Sequence, residues 1–188
     1  MGDVLPYGQG LIAARYALIF APLALVFFLS WRIDSLSAST ARALFFLYAA
    51  LLGASLSMIF TVYTDASITR VFFISAAAFG GLSLWGYTTQ RDLTGMGSFL
   101  MMGLIGIIIA SLVNIFLKSS GLDWIISVIG VIVFAGLTAW DTQKIKEMYS
   151  AHDDGTVAGR KAVMGALALY LDFINLFLML LRLFGGRR

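Results

Sequence analysis

Residues 166–185 read ALALYLDFINLFLMLLRLFG, a run of membrane-spanning length with an aspartate at its seventh position. Six uncharged residues, Ala166–Leu171, precede Asp172, and eleven of the next twelve positions are uncharged as well. A bilayer core takes about 20 apolar residues as a helix. An ionisable group inside it costs from about 2.5 to above 10 kcal/mol, so Asp172 demands a partner or a water-filled path.

The rest of the chain has the same character. Its 188 residues are 60% hydrophobic and 12% charged, with a mean hydropathy of +0.92, against about 45–50% apolar in a soluble domain. Six windows have spanning length: 11–31, 42–63, 69–89, 96–117, 124–148 and 162–184. Backbone groups inside a bilayer must be satisfied within the segment, and windows of this length are too long for membrane strands. The expected fold is an all-α integral membrane bundle of about six transmembrane helices, a single domain over 1–188. Arg15, the apolar run to Leu29 and SLSAS sketch a signal peptide, but the run flows into a helix-sized segment and the cleavage signal is weak.

Composition also excludes. The net charge of +3 is spread through the connections, which speaks against a nucleic-acid footprint. With no cysteine there is no disulfide, thiolate metal site or cysteine nucleophile. Nothing resembles GxxxxGK[ST], which argues against ATP-driven transport. Lys and Arg divide seven to six between the two sides; weighting internal loops over the tail places the longest loop, 150–161, in the cytoplasm and both termini outside. Gly103, Gly106 and Ala110, and likewise Ala76 and Gly80, recur at helical intervals that allow close helix packing.

A second carboxylate lies within a span, Asp141 in VFAGLTAWDTQKIKEMY (133–149). If the fifth helix ends near Tyr149 and the sixth starts near Met164, an antiparallel hairpin puts Asp141 and Asp172 level, each eight residues in, about 12 Å from the helix ends. Two carboxyls in contact in a low-dielectric site share a proton and titrate as one unit. The alternative for Asp141 is a membrane exit marked by Lys144 and Lys146. Arg32, at the end of LVFFLSWR, either reaches inward as a counter-cation or snorkels to the interface. Asn114 fits an interhelical hydrogen bond, and Thr138 and Asn175 are further polar pore or packing contacts. Asp123, after the turn at Gly121, is a plausible helix cap. His152, Asp153 and Asp154 lack a calcium-loop ladder and fit a solvated loop.

These residues carry a resemblance. AGLTAWDTQKIKEMY (135–149) and GALALYLDFINLFLMLLRLFG (165–185), with YTTQRDLTGMGSFLMMG (87–103) and SLVNIF (111–116), resemble the signature segments of the Bax inhibitor-1 family, from about Ala21 to the C-terminus. The resemblance implies a protein of the bacterial inner membrane that leaks calcium or regulates its homeostasis, built from two triple-helix layers around a central C-terminal helix. It implies that a hydrogen-bonded aspartyl pair, matching Asp141 and Asp172, controls opening, and that Arg32 latches onto the first of them. The family has seven spans against six windows here, its first helix lacking a counterpart.

The expectation is therefore a pH-sensitive calcium leak, not an enzyme, with no cofactor. Its partners are the lipid bilayer, calcium and protons. Asp141 and Asp172 would hold calcium only in passing, because with Asn114, Thr138 and carbonyls they supply part of its six-to-eight-oxygen shell. A non-conducting scaffold that regulates partner proteins is the alternative. An intramembrane aspartyl protease would also use two aspartates, but YLD (170–172) is not GxGD and no PAL occurs.

Overall fold

The computed structural model describes residues 20–188, which fall into two compact units. One comprises residues 20–59 with Asp153–Met164, the other Phe60–His152 with Gly165–Arg188.

In the first unit, residues 20–32 are helical (α1), and a 3-10 turn at Ile33–Ser35 leads to α2, Ala38–Leu56. Residues 11–19 of the first apolar window lie outside the described residues. Ser37 starts α2 by accepting the Thr40 N–H at 3.1 Å, so one of the orphan donors of a helix N-terminus is satisfied by a side chain. After a break at Ser57–Met58 the chain continues as the short α3, Ile59–Val62. Asp153–Met164 carries the first turns of the last helix; here Arg160 Nε donates to the Leu36 carbonyl at 2.6 Å, and Gly159 lies against the Cβ of Ala38.

The second unit holds α4 (Asp65–Thr88), α5 (Thr94–Leu117), α6 (Ser120–Met148) and α7 (Gly155–Phe184) from Gly165 onward. Thr64 caps α4 and Ser119 caps α6, while α5 closes on Lys118 in the left-handed conformation, φ 50°. The expected cap Asp123 lies instead inside the first turn of α6, because Ser119 Oγ takes the Leu122 N–H four residues earlier. Among the described residues, extended pairing is confined to the bridge between Tyr63 and Arg187.

Among the described residues, five helical segments are long and apolar enough to span a bilayer: Ala38–Val62, α4, α5, α6 and α7. They coincide with the five windows after the first, with one boundary corrected. α7 begins at Gly155 rather than near 162, so the expected long loop 150–161 shrinks to residues 149–154. The cause is Asp154, whose Oδ1 accepts the N–H groups of Thr156 and Val157 at 2.8 and 2.7 Å and starts the helix early.

Burial separates the spans. In α6 and α7, 44% of the apolar window is buried, against 6 to 17% in the other three. The exposed faces of those three are large apolar side chains such as Phe73, Phe99 and Phe116, as lipid requires. Close packing rests on glycine. A methyl at Gly86 would overlap the Ala139 backbone, one at Gly97 the Trp140 indole, and one at Gly136 the Leu100 side chain, so α4 and α5 approach α6 only because these Cβ atoms are missing. Of the small residues expected to pack, Gly103 meets Val133, but nothing among the described residues approaches Gly80 or Gly106. The expectation fails at those two because equal spacing does not say which face meets a neighbour.

Candidate functional site

α6 and α7 run past each other with Gly165 against Ile145 toward one end and Gly130 against Met179 toward the other. Between these contacts the Asp141 and Asp172 side chains lie close enough to interact and line one cavity. They meet although α7 starts early, because pairing depends on the register of the facing segments and not on where either helix ends. Phe173 fixes the rotation of α7: its ring packs edge-on against Phe72 and Phe79 of α4 at 5.7 and 5.5 Å. The next residue back, Asp172, is then turned inward and is 5% exposed.

Two ionised carboxylates are acceptors only, so a hydrogen bond between them needs a proton on one. No N–H or hydroxyl among the described residues reaches Asp172 Oδ2, which is buried. The nearby polar side chains are committed elsewhere. Thr138 donates to the Phe134 carbonyl at 2.8 Å, Thr142 to Thr138 at 2.7 Å, and Asn175 to Leu171 at 2.8 Å. Lys144, on the same helix, lines the same cavity, its Nζ 5.1 Å from the centre of the Trp140 ring.

The pair opens onto a cavity of about 630 Å³ between α5, α6 and α7. Its walls are apolar, with Leu104, Ile108, Leu112 and Phe134 among them; Asp141, Lys144, Asp172 and Asn175 supply the polar part. A smaller cavity of about 320 Å³, which shares Ser111 and Ile115 with the first, is lined by Asn114, Asp123 and Arg182. There Arg182 and Asp123 form an ion pair at 3.5 Å.

Of the residues expected to form a site, Asp141, Asp172 and Asn175 line one cavity, and Thr138 is buried one turn from Asp141. Asn114 sits at the second cavity, where its Oδ1 accepts the Ser119 N–H at 3.0 Å and joins the end of α5 to the cap of α6. Arg32 is exposed in the first unit, its carbonyl accepting from Ser35 Oγ at 2.9 Å. His152 is exposed, and among the described residues no cluster of three or more His, Cys, Asp or Glu could hold a metal ion.

Lys144 was expected only to mark a membrane exit, and Gln143 was not singled out. Lys144 was legible in principle, standing three residues after Asp141 and so on the same helix face. Gln143 was not: it is buried and holds the α4–α5 turn through Leu93 and Arg91, and a lone glutamine carries no signal for that.

The segments around Asp141 and Asp172 also have relatives among known proteins. The family described as inhibitor of apoptosis-promoting Bax1 matches residues 5–188. The chain belongs to the Bax inhibitor-1 family. Inner membrane protein YbhL of Escherichia coli K12 is 58% identical over 173 residues, 91% of this chain and 74% of that protein. Protein RP147 of Rickettsia prowazekii is 53% identical over 171 residues, 91% and 72% of the two chains. A Borreliella burgdorferi protein is 54% identical over 173 residues, 92% and 75%. Family and helices together make this a multi-pass membrane protein.

Proposed function

We propose that this Bax inhibitor-1 family member is a pH-sensitive calcium-leak channel of the bacterial inner membrane, its opening set by the Asp141–Asp172 pair. The observation that carries the reading is the contact of two carboxyls from neighbouring spans at the head of a cavity. A shared proton makes such a pair responsive to pH, and its negative charge draws in a divalent cation. Lys144 stands one turn from Asp141 in the same cavity, so a proton on the pair would weaken the attraction between them. The two cavities share Ser111 and Ile115, so polar groups recur along α5, α6 and α7 from the aspartates to Asn114, Asp123 and Arg182. That succession favours a conduction route over a silent scaffold.

Calcium is cargo here. Two carboxyls and a few neutral oxygens complete only part of its shell, which suits weak, repeated binding along a path. The experiment is calcium influx into proteoliposomes across a pH series, with membrane potential clamped. Influx that needs no added gradient of another ion supports the leak; coupling to such a gradient means an exchanger, and silence with co-purified proteins means a scaffold.

A further inference from the structure

We propose that the cavity headed by Asp141 and Asp172 is a binding site for amphipathic amines, compact apolar bodies carrying a protonated nitrogen. Calcium leaves two properties of this cavity unexplained. The first is the chemistry of its walls. Met101, Leu104, Ile108, Leu112 and Phe134 cannot replace the water that a divalent ion sheds, whereas an organic cation brings carbon to meet carbon. At about 630 Å³ the space is within the range of about 300–1,000 Å³ that small-molecule sites occupy.

The second property is a shortage of donors at the polar end. Asp172 is 5% exposed and its Oδ2 meets no N–H or hydroxyl among the described residues. The Thr138 and Thr142 hydroxyls donate to backbone carbonyls within α6, and Asn175 Nδ2 gives one of its two N–H groups to the Leu171 carbonyl. Lys144 Nζ lies over the Trp140 ring, 5.1 Å from its centre. A buried acceptor without a donor is costly, and more so when charged. A ligand ammonium supplies the missing N–H and a compensating positive charge in one group. Its apolar body then lies along α5, against Ile108 and Leu112, where the cavity is bordered by exposed side chains.

The proposal does not rest on conduction, since binding is read directly. The probe is 1-adamantylamine, titrated calorimetrically into the full chain in phosphatidylcholine nanodiscs, with empty nanodiscs as the blank. 1-Adamantanol, with the same cage and no charge, is the control. Saturable binding of the amine at least tenfold tighter than the alcohol is expected. Asp172→Asn keeps the shape and removes the charge, and is expected to weaken the amine roughly tenfold or more while leaving the alcohol unchanged. Ile108→Trp, at a half-exposed position, fills the mouth and is expected to abolish binding of both. It decides the matter should the Asn variant lose its helical circular dichroism. Amine affinity in Asp172→Asn or Ile108→Trp within twofold of the parent overturns the proposal, as does equal affinity for alcohol and amine, or no saturable heat with the parent.

Discussion

Gln143 and Leu93 are joined by a hydrogen bond of 2.8 Å, the glutamine Oε1 accepting the buried Leu93 N–H while its Nε2 donates to the Arg91 carbonyl at the same distance. One side chain two residues from Asp141 thus fastens the α4–α5 turn to α6. Gln143→Leu keeps the bulk and strands the Leu93 N–H, so unfolding in detergent should be easier by about 1–3 kcal/mol. Gln143→Glu keeps the acceptor but loses the donor to the Arg91 carbonyl and buries an ionisable carboxyl, so it should cost at least as much. Equal melting temperatures for parent and Leu variant would show that the clamp contributes nothing.

Glycines of one helical spacing should behave oppositely according to what faces them. Gly86→Ala and Gly97→Ala push a methyl into the Ala139 backbone and the Trp140 ring, and should destabilise by about 1–3 kcal/mol through overpacking. Gly80→Ala and Gly106→Ala meet open space and should be neutral or stabilising by about 0.5–1 kcal/mol, the helical preference for alanine. Thermal unfolding of the four variants gives the order.

For the aspartyl pair the shape of the pH response is informative. A first proton on the pair reduces the charge facing Lys144 and should release the closed form; a second removes the charge that attracts calcium. The two protons come off in separate macroscopic steps. Calcium influx should therefore rise and then fall as the pH is lowered from about 8 to about 4, a range wide enough for ordinary and perturbed carboxyls. Asp141→Asn and Asp172→Asn should each flatten the curve; unchanged profiles in both would remove the pair from the gating account.

Asp154 sets the start of α7 through two backbone N–H groups. Asp154→Ala should cost about 1 kcal/mol, with Asp154→Asn recovering most of it. Amide exchange at Thr156 and Val157 should accelerate in the alanine variant and change little in the asparagine one.

Asp92 lies between α4 and α5, where hydrogen bonds from the Thr94 hydroxyl and N–H favour its ionised form and hold its carboxyl below the usual range. A group whose folded pKa is lowered stabilises above its unfolded pKa, and the contribution is lost as pH falls through the folded value. Thr94→Ala should raise the Asp92 pKa toward that of a free aspartate, as followed by carboxyl ¹³C shifts. No change would mean that Thr94 does not hold the charge.

That Asp141 and Asp172 line one cavity was legible because its two signals are local and strong: a charge in an apolar run, and the antiparallel arrangement that a short loop imposes on the two residues. Five windows, and the described part of the first, are helical for the same reason, hydropathy being sufficient where lipid is the solvent. Packing was less legible. Gly86 and Gly97 matter more than Gly80 and Gly106 because Ala139 and Trp140 stand opposite them, a tertiary fact that spacing along one helix cannot hold. The start of α7 was missed because a helix can begin before the apolar run does, once Asp154 satisfies its first N–H groups.

Residues 185–188 fold back on the start of α4. Thr64 N–H donates to the Gly186 carbonyl at 3.0 Å and Gly186 N–H to Ser67 Oγ at 2.9 Å, while Arg188 reaches the Val62 and Tyr63 carbonyls and Asp65. Gly185 is required there, since a methyl would strike the Leu181 carbonyl and the Tyr63 ring. Arg188 and Tyr63 are 125 residues apart in the chain. During synthesis at about 5–20 residues per second, the start of α4 therefore waits roughly 6–25 s for its clasp. For that interval its capping loop must be held by local bonds alone, such as Thr64 to Ser67, and the second unit becomes complete only when its last four residues have emerged.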